Sequence, residues 1–384
     1  MADFLILDNE KKNDNVNNVN NKNRHSFFDK INDLLYSFHK IKVKEKIQFY
    51  RLLSTMINAG LSLVKSVGVL EKQQKAGTFK KILSRFEKEL TSGKNLSDCM
   101  YMFPNDFSDA EIGMVKSGEK TGQLNVVLMD LAVQTERLAS ISGKIKSAMI
   151  YPSFVILVVF GVIYIMMTVV VPKLLEIFGD QSTLPPSTQK LIFVSNFLSN
   201  NGIFIILGLV ILYVFIFFWR RTQDGAYIFD SIVFKIPIFG PMLKKIILSK
   251  FARIFSGLIS SGVSVIESLR ITAEAVGNEV YKQRILLITE DVSGGIKIWE
   301  SLDGDKLFPD MMVQMIQVGE ETAKLEETVL KVADYYDEEV DNTIANINKL
   351  LEPIIIITLA VIVGFIAISI LEPIMNLADT VSNK

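Results

Sequence analysis

Phe49-Tyr50-Arg51-Leu52-Leu53-Ser54, followed by Gly60-Leu61-Ser62-Leu63, comes back later in the chain as Phe251-Ala252-Arg253-Ile254-Phe255-Ser256, followed by Gly262-Val263-Ser264-Val265. Ordinary residue usage gives roughly one chance identity over a window of this size. Here Phe, Arg, Ser and Gly recur in register, and most remaining positions exchange one apolar residue for another. Further on, Gly118-Glu119-Lys120-Thr121-Gly122-Gln123-Leu124 is matched by Gly319-Glu320-Glu321-Thr322-Ala323-Lys324-Leu325. Pro152 and Pro172 recur as Pro353 and Pro373 at the same displacement. The repeating unit is therefore a soluble domain followed by an apolar segment, used twice.

Three apolar segments fit a bilayer. Ser153 to Val171, Gly202 to Trp219 and Pro353 to Leu371 each run without a charge, long enough at ~1.5 Å per residue to match a hydrocarbon layer of ~30 Å. Tyr151, Trp219 and the Arg220-Arg221 pair flank them, where aromatic anchors and cytoplasmic cations belong. Arg137, Lys144 and Lys146 precede the first segment and Lys349 the third, whereas the connection from Pro172 to Asn201 holds only Lys173 and Lys190. The positive-inside rule then places the N-terminus and both soluble copies in the cytoplasm and the C-terminus outside. No signal peptide is expected, because Asp3 stands where a positive n-region would be. The expected division is an Asn-rich tether (1–43), a first cytoplasmic domain (44–149), a first membrane helix (150–172), an outer loop (173–201), a second membrane helix (202–219), a second cytoplasmic domain (220–352), a third membrane helix (353–373) and an outer tail (374–384).

Each soluble copy reads as all-α. Ile47, Tyr50, Leu53 and Ile57 fall at helical spacing, with Gly60 placed to end the helix in the left-handed region. Phe79, Ile82, Leu83, Phe86 and Leu90 form a second stripe closed by Ser92-Gly93, and Val127, Leu128, Leu131 and Leu138 form a third. Short helices joined by glycine-containing turns imply bundles whose Met and Phe stripes are core. The fold class is an all-α membrane protein with two repeated helical bundles and three membrane helices. Ahead of it, seven of the eleven residues from Asn13 to Asn23 are Asn, the composition of a disordered tether. Phe27, Ile31, Leu34, Leu35 and Phe38 then line one face of a potential amphipathic helix. That face has three readings: packing on its own first domain, docking to a cytoplasmic partner, or lying on the membrane.

Composition narrows the chemistry. The 384 residues are 49% hydrophobic, with Lys+Arg 41 against Asp+Glu 42, and the mean hydropathy of +0.32 exceeds that of soluble globular chains. A net charge of -1 gives no pull toward nucleic acid. One cysteine and two histidines supply neither a disulfide framework nor a Cys/His metal site. Gly113-Met114-Val115-Lys116-Ser117-Gly118-Glu119-Lys120-Thr121 imitates a phosphate-binding loop, but Glu119 intervenes where lysine must follow the second glycine. The second copy lacks that lysine. The stretch reads instead as a helix-to-helix turn, with Gly118 and Gly122 supplying tight backbone geometry and Glu119 capping amides of the next helix. The apolar segments carry no ionisable residue to line a substrate path, and Pro353 and Pro373 are expected to start and stop a helix. No catalytic residue, cofactor or metal is assigned.

This arrangement resembles the type II secretion system F family. The likeness rests on Lys235-Ile236-Pro237-Ile238-Phe239-Gly240-Pro241, the Arg253 and Gly262 stretches, Val318-Gly319-Glu320-Glu321-Thr322 and Leu350-Leu351-Glu352-Pro353-Ile354. Their first-copy equivalents lie around Arg51, Gly60, Gly118-Glu119 and Pro152. One departure is Ala323 at the second glycine position of the later turn. The resemblance implies a non-enzymatic inner-membrane platform protein, a homodimer or higher oligomer, for type IV pilus assembly or type II protein secretion. Its implied partners are a hexameric cytoplasmic assembly ATPase, pilin or pseudopilin subunits, other inner-membrane assembly proteins and lipid, with no nucleic acid. In that frame Arg51 and Arg253 are candidates for motor docking, or for salt bridges within their own bundles. The competing class is a membrane-anchored sensor or transport-associated protein with cytoplasmic helical domains.

Overall fold

A computed structural model describes residues 40–173, 186–237 and 239–382, and among these every regular element is helical. The tether and the Phe27, Ile31, Leu34, Leu35 and Phe38 face lie outside the described residues.

The first copy supplies α1 (Val43–Asn58), α2 (Leu63–Gln73), α3 (Thr78–Thr91), α4 (Leu96–Tyr101), α5 (Asp109–Thr121) and α6 (Leu124–Ile165). A π-helical turn at Met166–Val170 follows α6. Next come α7 (Pro186–Trp219) and α8 (Gln223–Val233), which have no counterpart among the described residues of the first copy. The second copy then repeats the order as α9 (Phe239–Ser260), α10 (Val265–Ala275), α11 (Glu279–Ser293), α12 (Ile298–Leu302), α13 (Asp310–Glu321) and α14 (Leu325–Ser382). Two compact units result, residues up to Arg137 together with Gly257–Ile271, and Leu138–Ser256 together with Thr272 onward. Their boundaries fall inside α6, α9 and α10.

The stripes seen in the sequence are the cores. In the first unit Phe49, Leu53, Leu83, Phe86, Leu96 and Val115 are fully buried. Phe49 meets Phe79 edge-on at 5.6 Å between centroids, and Phe86 lies 5.7 Å from Phe107. The second unit reuses the scheme, with Phe251 and Tyr281 both edge-on to Phe308 at 5.5 and 5.6 Å. Helix ends follow the local chemistry. Ser108 caps α5 and exchanges hydrogen bonds with Glu111 in a capping box. Gly60 and Gly262 take φ +86° and +84°, the left-handed geometry expected of them after α1 and α9.

The prolines behave differently from expectation. Pro152 lies inside α6, and Pro353 and Pro373 lie inside α14, rather than at helix ends. A proline removes one intrahelical hydrogen bond, yet apolar membrane segments accommodate it when neighbouring groups satisfy the freed carbonyl. Residues 186–201, left by hydropathy in the connection between spans, are helical as the first turns of α7. Among the described residues, two helices are long and apolar enough to cross a membrane, within Leu124–Lys173 and Thr188–Trp219. The third expected segment is a shorter apolar stretch, Ile355–Ser369, within α14.

Candidate functional site

Four structural features locate what the singled-out residues do, and the first two occur in both copies. The first is a pin between the opening helix of each copy and its final long helix. Arg51 on α1 meets Glu136 on α6 at 2.6 Å, with both side chains about half exposed. Arg253 on α9 meets Asp334 at 2.9 Å and also pairs with Asp337, both on α14. Arg253 is only 3% exposed, so it is no surface residue, and Ser249 donates a further hydrogen bond to Asp337. Of the two readings open for these arginines, the geometry shows the salt bridges. Glu136 and Asp337 were findable in the sequence, because they stand at the repeat displacement set by the prolines.

The second feature is the Gly-Glu turn. Glu119 accepts hydrogen bonds from the Leu96 and Ser97 amides, the former at 2.5 Å, and from the Ser97 hydroxyl at 2.6 Å. Glu320 accepts from the Ile298 and Trp299 amides at 3.1 and 3.4 Å. Each carboxylate thus caps the N-terminus of the short helix before it, α4 or α12, rather than the helix that follows. A carboxylate is stabilised there by free N–H groups. Gly118 and Gly319 admit the next helix: a Cβ would stand 3.0 Å from Val127 in the first case and 2.1 Å from the Thr328 hydroxyl in the second. Gly122 turns left-handed at φ +70°, and Ala323 does the same at φ +55°. The phosphate-loop imitation ends here. Gly113–Thr121 lies within α5, where its amides serve the helix ladder instead of a phosphate.

The third is the corner before α9. Gly240 lies so close to Phe234 that a Cβ would stand 2.2 Å from its carbonyl oxygen, and its own N–H donates to the Ile236 carbonyl at 2.8 Å. Pro237 lies in the turn-and-bend stretch, residues 234–237, that follows α8.

The fourth is the pairing of the two long helices. Ile141 on α6 packs with Val340 and Ile344 on α14 and Met242 on α9. Beside this cluster Lys144 reaches Asp341 at 2.6 Å. A second cluster joins Met167 and Val171 beyond α6 to Ile366 on α14 and Leu191 on α7. Ile141 and Met167 are about 39 Å apart along a helix at ~1.5 Å per residue, so one cluster precedes the apolar segment and the other lies at its far end. Between them Phe154, Leu157 and Phe160 are 65%, 69% and 67% exposed, a surface suited to lipid.

One polar group was missed. In the first copy Lys46 donates to Glu111 at 2.8 Å, and the Tyr50 hydroxyl donates to the same carboxylate at 3.0 Å. Burial and the adjacent Glu111 raise the Tyr50 pKa well above its ordinary value. The second copy carries Leu248, Ala252 and Met312 at these places, so the repeat that revealed the domain could not reveal its polar core.

The model of the family described as type II secretion system protein F matches residues 49–172 and again 251–373. The chain belongs to that family. Its two matched segments coincide with the two runs from α1 or α9 to the long helices. Among its relatives, the type IV pilus assembly protein PilC of Myxococcus xanthus is 33% identical over 346 residues, covering 90% of this chain and 83% of that protein. PilC of Pseudomonas aeruginosa is 32% identical over 350 residues, covering 91% and 94%. The type II secretion system protein F of Aeromonas hydrophila is 32% identical over 338 residues, covering 86% of each.

Proposed function

We propose that this F-family chain is a non-enzymatic platform of the inner membrane. It couples a cytoplasmic hexameric assembly ATPase to the polymerisation of pilin or pseudopilin subunits. The observation that carries this reading is the continuity of α6 and α14. Each leaves a bundle and runs into an apolar segment, and the Arg51 and Arg253 pins fasten the opening helix of each copy to it. A push on a bundle then displaces a membrane segment, because a hydrogen-bonded helix moves as one body. In this reading Ile355–Ser369 is a third span, both bundles face the cytoplasm and the C-terminus lies outside. The platform works as a homo-oligomer, and Phe27, Ile31, Leu34, Leu35 and Phe38 dock a cytoplasmic partner.

Solubilising the full chain in mild detergent and capturing it by a tag tests the partners. Recovery of the assembly ATPase together with pilin-like subunits is expected, and recovery of neither contradicts the platform. Deleting residues 1–40 should lower recovery of the cytoplasmic partner; unchanged recovery removes the docking role of that face.

A further inference from the structure

Two hydroxyls on α7, a helix with no counterpart among the described residues of the first copy, meet two backbone carbonyls that prolines have orphaned. In α14, Pro373 has no N–H to offer the carbonyl four residues back, that of Ser369. The Thr188 hydroxyl donates to that carbonyl at 2.6 Å in a buried setting. After α6 the register widens to the π form, and the Val171 N–H bonds to the Met166 carbonyl five residues back. The next donor in that register would be residue 172, a proline, which leaves the Met167 carbonyl free. The Ser195 hydroxyl donates to it at 2.5 Å.

Pro172 and Pro373 are equivalent positions of the repeat, and Thr188 and Ser195 stand two helical turns apart on one face of α7. Thr188 is 3% exposed and Ser195 0%, with Leu191 between them packed against Met167, Val171 and Ile366. Thr168 shows the ordinary alternative, since its hydroxyl donates to the Tyr164 carbonyl of its own helix at 2.8 Å. Thr188 and Ser195 instead reach across to other helices. An unpaired carbonyl is costly where no water reaches it, so each bond fixes α7 against one proline-bearing helix.

We propose that Thr188 and Ser195 are positioning residues forming a double clasp, through which α7 holds the membrane segments of both copies at the same depth. The clasp depends on the prolines, and that dependence is testable in the full chain in detergent by thermal melting. Thr188→Val should lower the midpoint by roughly a few degrees, whereas Thr188→Ser, which keeps the hydroxyl, should restore most of the loss. In a Pro373→Ala background the N–H returns, the Ser369 carbonyl is satisfied within its helix, and Thr188→Val should shift the midpoint by less than half as much. Ser195→Ala should behave the same way with Pro172→Ala, and the crossed combinations should be additive. If Thr188→Val alone is too unstable to purify, its recovery in the Pro373→Ala background supports the clasp. Equal losses in both backgrounds, no loss in either, or failure of Pro373→Ala to rescue overturns it.

Discussion

At the scale of single residues, the two copies spend the same arginine differently. Arg51 and Glu136 are about half exposed, and solvated pairs contribute little once ordering and screening are counted. Arg253 is buried against Asp337, whose side chain is only 15% exposed, and removing one partner of a buried pair strands the other. Arg253→Ala should therefore destabilise the chain by about 3 kcal/mol and Arg51→Ala by less than ~1 kcal/mol. Urea unfolding of the full chain in detergent measures both; equal losses would show that burial does not govern the pin. Ala323 offers a second contrast. At φ +55° a Cβ crowds the following carbonyl, so Ala323→Gly should stabilise by about 0.5–1 kcal/mol, while Gly122→Ala should cost about 1 kcal/mol. A destabilised Ala323→Gly would mean that the turn is not strained. The glycines and arginines were readable in the sequence because the repeat printed them twice. The burial of Arg253 was not, since the identical letter sits half exposed in the other copy.

At the scale of elements, the stripes, their glycine stops and the helical class all follow from spacing. What spacing could not show was how helices end. The prolines suggested boundaries, but a long apolar helix in lipid has no water to satisfy a broken end, so staying helical is the cheaper state. Likewise the sequence points Glu119 at the following helix, whereas its carboxylate reaches the short helix behind it, a contact fixed by tertiary packing. The integrity of the first bundle has a built-in reporter. Cys99 on α4 is fully buried, and burial, with Glu89 nearby, pushes its thiol from the ordinary value near 9 up to about 11. At pH 8 alkylation of the native chain should run roughly two orders of magnitude slower than after unfolding, since only the thiolate reacts. The unfolded thiol ionises near pH 8.5, so the unfolded state sheds its proton first. The associated stability is fully present below that pH and declines as pH rises toward 11. Comparable alkylation rates before and after unfolding would contradict a closed core around α4.

At the scale of the whole molecule, the duplicated plan was visible from the sequence, and the family match over residues 49–172 and 251–373 agrees with it. The pairing of α6 with α14 ahead of the apolar segment, and of Met167 and Val171 with α14 at its far end, was not visible, because it joins residues from separate copies that share no motif. That pairing, with the unbroken helices, underlies the proposed transmission of force from bundle to membrane. Its most direct test is to soften one helix without changing its length, where α6 approaches the membrane. The chain carrying Ser147→Gly, Ala148→Gly and Met149→Gly should be compared with one carrying Ser147→Ala and Met149→Ala, each as the sole copy in the cell, with filament or secreted-protein yield as the readout. The account predicts that both reach the membrane in equal amounts, that the alanine chain supports assembly, and that the glycine chain does not. Assembly at the alanine level by the glycine chain would contradict it.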